Sequence, residues 1–154
     1  MKLQLADDND IETIVDLWRS LALEMEPYSK FNELDGDVQK KAEKGWRKKM
    51  KSDKIEVYLV KKDGEVIGFT DLKHDSHSTR DIKRYTKIVD LFIEEEYRSQ
   101  GIGTEVVDKV KKIAKRKDSQ YLKVSSEWHN ERARDFYEGN GFTEKQVRYV
   151  QELE

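Results

Sequence analysis

Apolar residues recur along this chain with two different periods, and the changes between them mark its elements. Lys2 to Ala6 alternates apolar and polar positions, which predicts a short strand. From Ile11 the period lengthens, and Ile11, Ile14, Val15, Trp18 and Leu21 fall on one helical face. Asn9 stands before that helix as an N-cap, with Glu12 three positions on to complete a capping box. Pro27 breaks the pattern, and Tyr28 to Gly36 reads as loop. Val38, Ala42, Trp46 and Met50, four apart, predict a second amphipathic helix over Asp37 to Lys51. Ile55 to Val60 and Glu65 to Lys73 are β-like and joined across Lys62-Asp63-Gly64, an Asp-Gly hairpin signal. His74 to Arg80 is polar loop and Tyr85 to Ile93 the next strand. Gly101 to Arg116 is then a helix, Tyr121 to Ser125 a strand, and Glu131 to Asn140 a short helix closed by Gly141. The tail from Phe142 to Leu153 is strand-like. The order β-α-α-β-β-β-α-β-α-β predicts an α+β (α/β) fold, a mixed sheet flanked by helices, as a single domain over residues 1–154.

Composition narrows the function. Charged residues make up 40% of the chain, yet the net charge is only −2, which argues against a globally basic nucleic-acid binder. With no Cys there is no disulfide framework and no thiolate nucleophile. No apolar run approaches the ~18 residues of a membrane span. The opening MKLQLADDND lacks the apolar core of a signal peptide, so a cytoplasmic location and no membrane partner are expected. His74 and His77 have the spacing of a metal pair but sit in a polar loop without an evident third ligand, and no metal is expected.

The chemistry concentrates between Tyr85 and Phe142. A buried strand ends at Ile93, an acidic loop (Glu94, Glu95, Glu96) follows, and Arg98-Ser-Gln-Gly101-Ile-Gly103-Thr104 opens a helix. Glycines there let backbone N–H groups converge on one point, and the helix N-terminus adds about half a positive charge. That combination is a pyrophosphate cradle. Its spacing is neither G-x-G-x-x-G nor G-x-x-x-x-G-K-[ST], so the dinucleotide and P-loop readings fail. An ordinary strand-to-helix turn is the alternative reading. Downstream, Tyr121-Leu-Lys-Val-Ser125 leads into Asn130, then Phe136-Tyr137 and Gly141-Phe142.

Arg98, Gly101, Gly103, Asn130, Phe136, Tyr137, Gly141 and Phe142 together resemble, in order and spacing, the motifs of the GNAT superfamily of N-acetyltransferases. The resemblance implies a mixed, mostly antiparallel central sheet, acetyl-CoA as cofactor, and an opening between the strand ending at Ile93 and the strand from Tyr121 to Ser125. It implies that the pantetheine arm bonds to backbone near Phe92 and Ile93. It also implies that the diphosphate rests on amides from Arg98 through Ser99, Gln100, Gly101, Ile102 and Gly103 to Thr104, and that Asn130 meets the cofactor arm. Tyr137 matches the family's proton donor to the leaving sulfur, packing beneath the cofactor being its other reading. Homodimers are common in this superfamily.

The acceptor amine needs a base, because an alkylammonium with pKa near ~10.4 is mostly protonated at neutral pH. Asp90, set within Ile88, Val89, Leu91, Phe92 and Ile93, is the candidate for holding the amine or taking its proton. An ion pair with a neighbouring Lys or Arg is the competing role. Strand alternation places Asp90 on the face of Ile88 and Phe92 unless a bulge exchanges the faces. Tyr28 and Phe31, after Pro27, are candidates for acceptor contacts. Val89 to Gly103 is also similar to the diamine (spermidine/spermine) acetyltransferases, and the acid-rich stretch from Met1 to Lys40 suits a polycation. A protein N-terminus or lysine as acceptor, and a non-catalytic acyl-CoA sensor, stand as alternatives.

Overall fold

A computed structural model describes all 154 residues. The Asp-Gly signal forms the turn it predicts: Asp63 and Gly64 both take positive φ, 51° and 81°, and join β2 (Ile55–Lys62) to β3 (Glu65–Ser76). Around this hairpin stand β1 (Lys2–Leu5), β4 (Arg84–Ile93) and β5 (Tyr121–Val124), in the order β1-β2-β3-β4-β5. Every pairing is antiparallel except β4 with β5, which run parallel. The mixed, mostly antiparallel sheet expected from the sequence is therefore present.

Helices cover both faces. On one, α1 (Ile11–Met25) and α2 (Val38–Met50) enclose Ile14, Val15, Trp46, Leu59, Phe69 and Phe92. Trp46 meets Phe69 edge-on with ring centres 5.7 Å apart. On the other, α3 (Ile102–Arg116) sets Val106 and Val110 against Val60, Ile67, Leu72 and Ile88. The short α4 (Glu131–Gly139) follows β5.

Two local features depart from the sequence reading. A 3₁₀ turn over Asp8–Asp10 precedes α1, and its capping box is made by Asp7 and Asp10 rather than by Asn9 and Glu12. The Asp7 side chain accepts from the backbone N–H of Asn9, at 2.9 Å. The tail is the second. Residues 142–154 form no strand, and Val147, Tyr149, Val150 and Leu153 are exposed. Alternation supplies one face of a strand but not the partner whose carbonyls and amides make the ladder, and no ladder forms here.

A third difference decides the geometry of the site. Asp71 pairs with Asp90, but the next pair is Leu72 with Ile88, so Val89 is an extra residue in β4. This bulge separates Asp90 from Ile88: Ile88 packs toward α3, whereas Phe92, two residues beyond Asp90, packs toward α1 and α2. Gly68 explains how closely β3 and β4 run past the bulge. A Cβ at Gly68 would lie 2.1 Å from the Phe92 carbonyl oxygen. Gly68→Ala is therefore expected to destabilise the protein by at least about 2 kcal/mol, in the range of overpacked cores. Denaturant unfolding checks this, and wild-type stability would refute the close approach.

Candidate functional site

The parallel pairing of β4 with β5 runs from Tyr85↔Tyr121 to Ile88↔Val124 and stops there. The bulge at Val89 bends β4 where β5 leaves it, so the strand from Val89 to Ile93 has no neighbour on that side. The Glu94 N–H donates to the Ile67 carbonyl on the β3 side. Alternation along the strand then turns the N–H groups of Leu91 and Ile93 into the gap. The gap thus exposes the backbone of Leu91 and Ile93, whereas Phe92, expected beside it, turns its N–H and carbonyl to β3.

At the gap's end, the loop into α3 is held by Arg98. Its Nε donates to the Ile93 carbonyl at 2.7 Å, and its terminal nitrogen bonds both Glu24 oxygens at 2.7 and 3.0 Å. The guanidinium also lies over the Phe92 ring, 5.3 Å from its centre. The Arg98 N–H is used as well, donating to Glu95 O at 3.1 Å. Arg98 is therefore a brace between strand, loop and α1, and its amide and side chain already have protein partners. Ser99 and Gly101 take positive φ, 63° and 81°, which turn the chain into the helix. The first intrahelical bond runs from Glu105 N–H to Gly101 O. It leaves the amides of Ile102, Gly103 and Thr104 without helical acceptors, at the positive end of a 15-residue helix. Gln100 turns aside, accepting from Lys62 Nζ at 3.0 Å. Gly103 also accommodates α4: a Cβ there would lie 2.9 Å from the Phe136 ring.

Asp90 lies partway down the gap and has a neighbour that sequence reasoning missed. Asp71, its direct partner across the ladder, is fully buried. Lys49 of α2 reaches one Asp71 oxygen at 3.1 Å and stands 4.3 Å above the Trp46 ring. The other Asp71 oxygen has no hydrogen-bond partner. Burial and then the Asp90 carboxylate push the Asp71 carboxyl up to about 8, against the pull of Lys49. The signal was available, because Asp71 interrupts an apolar strand as Asp90 does. Thr70 anchors the opposite strand by donating to the Asp90 carbonyl at 2.7 Å.

From α4, Tyr137 packs edge-on against Phe136 and Phe142, with ring centres 5.1 and 5.6 Å away. Burial, then the nearby Asp90 charge, push its phenol up to about 12. The structure thus brings Asp90 and Tyr137 within electrostatic reach of each other. Asn130 caps α4, its Oδ1 accepting from the Ala133 N–H at 3.1 Å. Tyr28 and Phe31 sit in two 3₁₀ turns after α1, and Phe31 is exposed. Asn32 ties this segment to the chain beyond β5, donating to Glu127 at 2.9 Å. Beside Phe92 a groove of about 540 Å³ is lined by Ser20, Glu24, Phe92, Glu94, Glu95 and Glu96. Burial and then Glu96 hold the Glu94 carboxyl above its ordinary value. His74 and His77 have separate partners: the His74 ring bonds Glu56 and Thr86 at 2.7 and 2.8 Å, and His77 stacks on Tyr85.

Comparison with known proteins bears on the family and the fold. The profile of the acetyltransferase (GNAT) family matches residues 15–142. The chain is 28% identical over 144 residues to YhfO of Bacillus subtilis, described as an uncharacterized N-acetyltransferase, covering 94% of this chain and 91% of that protein. A transcriptional regulator from Bacillus halodurans has a similar structure, with a TM-score of 0.80, 17% identity and 99% of each chain covered. AAC(6')-Iy, solved with the bisubstrate analog CoA-S-monomethyl-acetylneamine, superposes with a TM-score of 0.76 at 15% identity, over 99% of this chain and 97% of that one.

Proposed function

The chain belongs to the acetyltransferase (GNAT) family, and from that premise we propose that it transfers acetyl from acetyl-CoA to a primary amine of a small cationic acceptor, of polyamine type. One observation carries the reading: a strand-free stretch of β4 that includes Asp90, whose charge is felt by Tyr137, leads through the Arg98 loop to free amides at the start of α3. The similarly folded AAC(6')-Iy, solved with the bisubstrate analog CoA-S-monomethyl-acetylneamine, supports the same cofactor and an amine acceptor.

In this reading the diphosphate rests on the amides of Ile102, Gly103 and Thr104. The pantetheine arm lies along Leu91 to Ile93, adding a strand where β5 has departed. The neutral amine attacks the thioester carbonyl carbon, and the Ile93 N–H donates to the oxyanion that forms. Collapse breaks the carbon–sulfur bond. Tyr137 donates to the departing sulfur and is refilled by the proton leaving the acylated nitrogen. A phenol held at about 12 keeps its proton throughout the physiological range. It is a weaker acid than a thiol of pKa ~8.5, so its donation works as the charge develops and the refilling proton drives it to completion. The acidic groove lined by Glu24, Glu94, Glu95 and Glu96 supports a second positive charge on the acceptor.

An acceptor screen tests the proposal. Because the chain has no Cys, free thiol in the assay comes from CoA alone. Thiol release is expected with di- and polyamines, more slowly with monoamines, and least with N-terminal peptides. Faster release with peptides would replace the small acceptor by a protein acceptor. Binding of acetyl-CoA without release for any amine would favour the sensor reading.

A further inference from the structure

We propose that Asp71 and Asp90 form a carboxyl pair sharing one proton, and that this pair, rather than Asp90 alone, receives the proton of the acceptor's ammonium group. The step rests on the acetyltransferase reading above; the pair itself does not.

The geometry comes first. Asp71 and Asp90 are direct partners across antiparallel strands, so their side chains rise from the same face. Asp71 is fully buried, and one of its oxygens has no donor. A buried carboxylate oxygen without a donor is costly. A proton on it removes the cost, because it can be donated to Asp90, the carboxylate that faces it directly across the ladder. The other Asp71 oxygen is served by Lys49.

The surroundings fix the charge state. Lys49 faces Asp71 from α2, Asp90 from β4, and Val57 from β2 adds only apolar surface. Tyr137 faces Asp90 from α4 as a neutral phenol. Burial and Asp90 outweigh Lys49, so near neutrality the pair holds one proton and one negative charge, which attracts an ammonium group. When Asp71 gives up its proton near pH 8, Lys49 remains to balance the second charge.

Proton transfer then balances simply. The doubly ionised pair takes one proton from the ammonium nitrogen, whose N–H electrons become the attacking lone pair, and returns to its singly protonated form. The proton lost at the end of turnover passes to water. A base that titrates about two units below an alkylammonium of pKa ~10.4 accepts that proton far more readily than an ordinary carboxylate of pKa ~4. Asp71 acts here as a positioning residue, through Asp90.

The test uses Asp71→Asn, whose amide mimics the protonated carboxyl and so preserves the fold. In the wild type, kcat/KM for a diamine should rise as pH passes through about 8. The variant should lose that limb, retaining only the rise due to the amine's own titration, and should be slower by about tenfold or more at pH 8. A second readout needs no activity. The folded protein keeps a proton that the unfolded chain releases at 3.8, so Asp71 lowers stability progressively as pH rises from there to about 8. The melting temperature of Asp71→Asn should therefore gain on the wild type across that window. In an Asp90→Asn background the upper end of the window should move to lower pH. An unchanged pH–rate profile, or a melting difference indifferent to pH or to Asp90, overturns the proposal. A wild type that transfers acetyl to no amine counts against the enzyme reading, while the melting series still decides whether the pair exists.

Discussion

A Tyr137→Phe variant is expected to bind acetyl-CoA as the wild type does and to lose about 10²-fold in kcat, the usual scale of general acid catalysis. The ring contacts to Phe136 and Phe142 do not involve the hydroxyl, so packing and fold survive the substitution. What disappears is the donor to the departing sulfur, an interaction made as charge develops, so kcat and kcat/KM should fall together. Tyr137 titrates only at about 12, so the wild-type rate should show no loss through ionisation of this phenol below pH 10 or so. Steady-state kinetics with saturating acetyl-CoA, with a pre-steady-state check that chemistry limits turnover, decide the matter. Full retention of kcat would leave Tyr137 as a packing residue.

The second large effect is expected at Gly103. Valine there puts a Cβ 2.9 Å from the Phe136 ring and adds two methyl groups within the first turn of α3, where the amides are free. Obstruction of the diphosphate is expected to cost acetyl-CoA roughly ten- to hundredfold in affinity, apart from an overpacking strain of about 1–3 kcal/mol that falls on the stability of the fold. Two causes can be separated by the double variant Gly103→Val with Phe136→Ala. If the amides hold the diphosphate, removing the ring relieves the strain against α4 but not the obstruction, and calorimetry should still find weak binding. Recovered affinity in the double variant would show that Gly103 serves only the packing of α3 against α4.

The residues that explain how the fold was legible also explain where it was not. Helical faces such as Val38, Ala42, Trp46 and Met50, and the Asp63-Gly64 turn, announce themselves because their cause is local. The Arg98 to Thr104 turn was readable for the same reason, since positive φ at Gly101 and free amides at a helix start follow from adjacent residues. The bulge at Val89 was not. It arises from the register between β3 and β4, and alternation within β4 alone puts Asp90 on the wrong face relative to Ile88. Asp71 escaped notice because its importance comes from the strand opposite it. Arg98 was legible as a motif position but not as a brace, because Glu24 lies on a helix far away in sequence. The tail misled for the converse reason: its alternation is real, and no ladder in the fold receives it.

Whether acetyl-CoA occupies the gap between β4 and β5 is decided most directly by titrating it into isotope-labelled protein and following each backbone amide by NMR. The largest shifts are expected at Leu91 and Ile93 and from Ser99 to Thr104, with Arg98 moving less because its N–H already donates within the loop. Binding that left those amides unmoved and perturbed another face of the sheet would contradict the site.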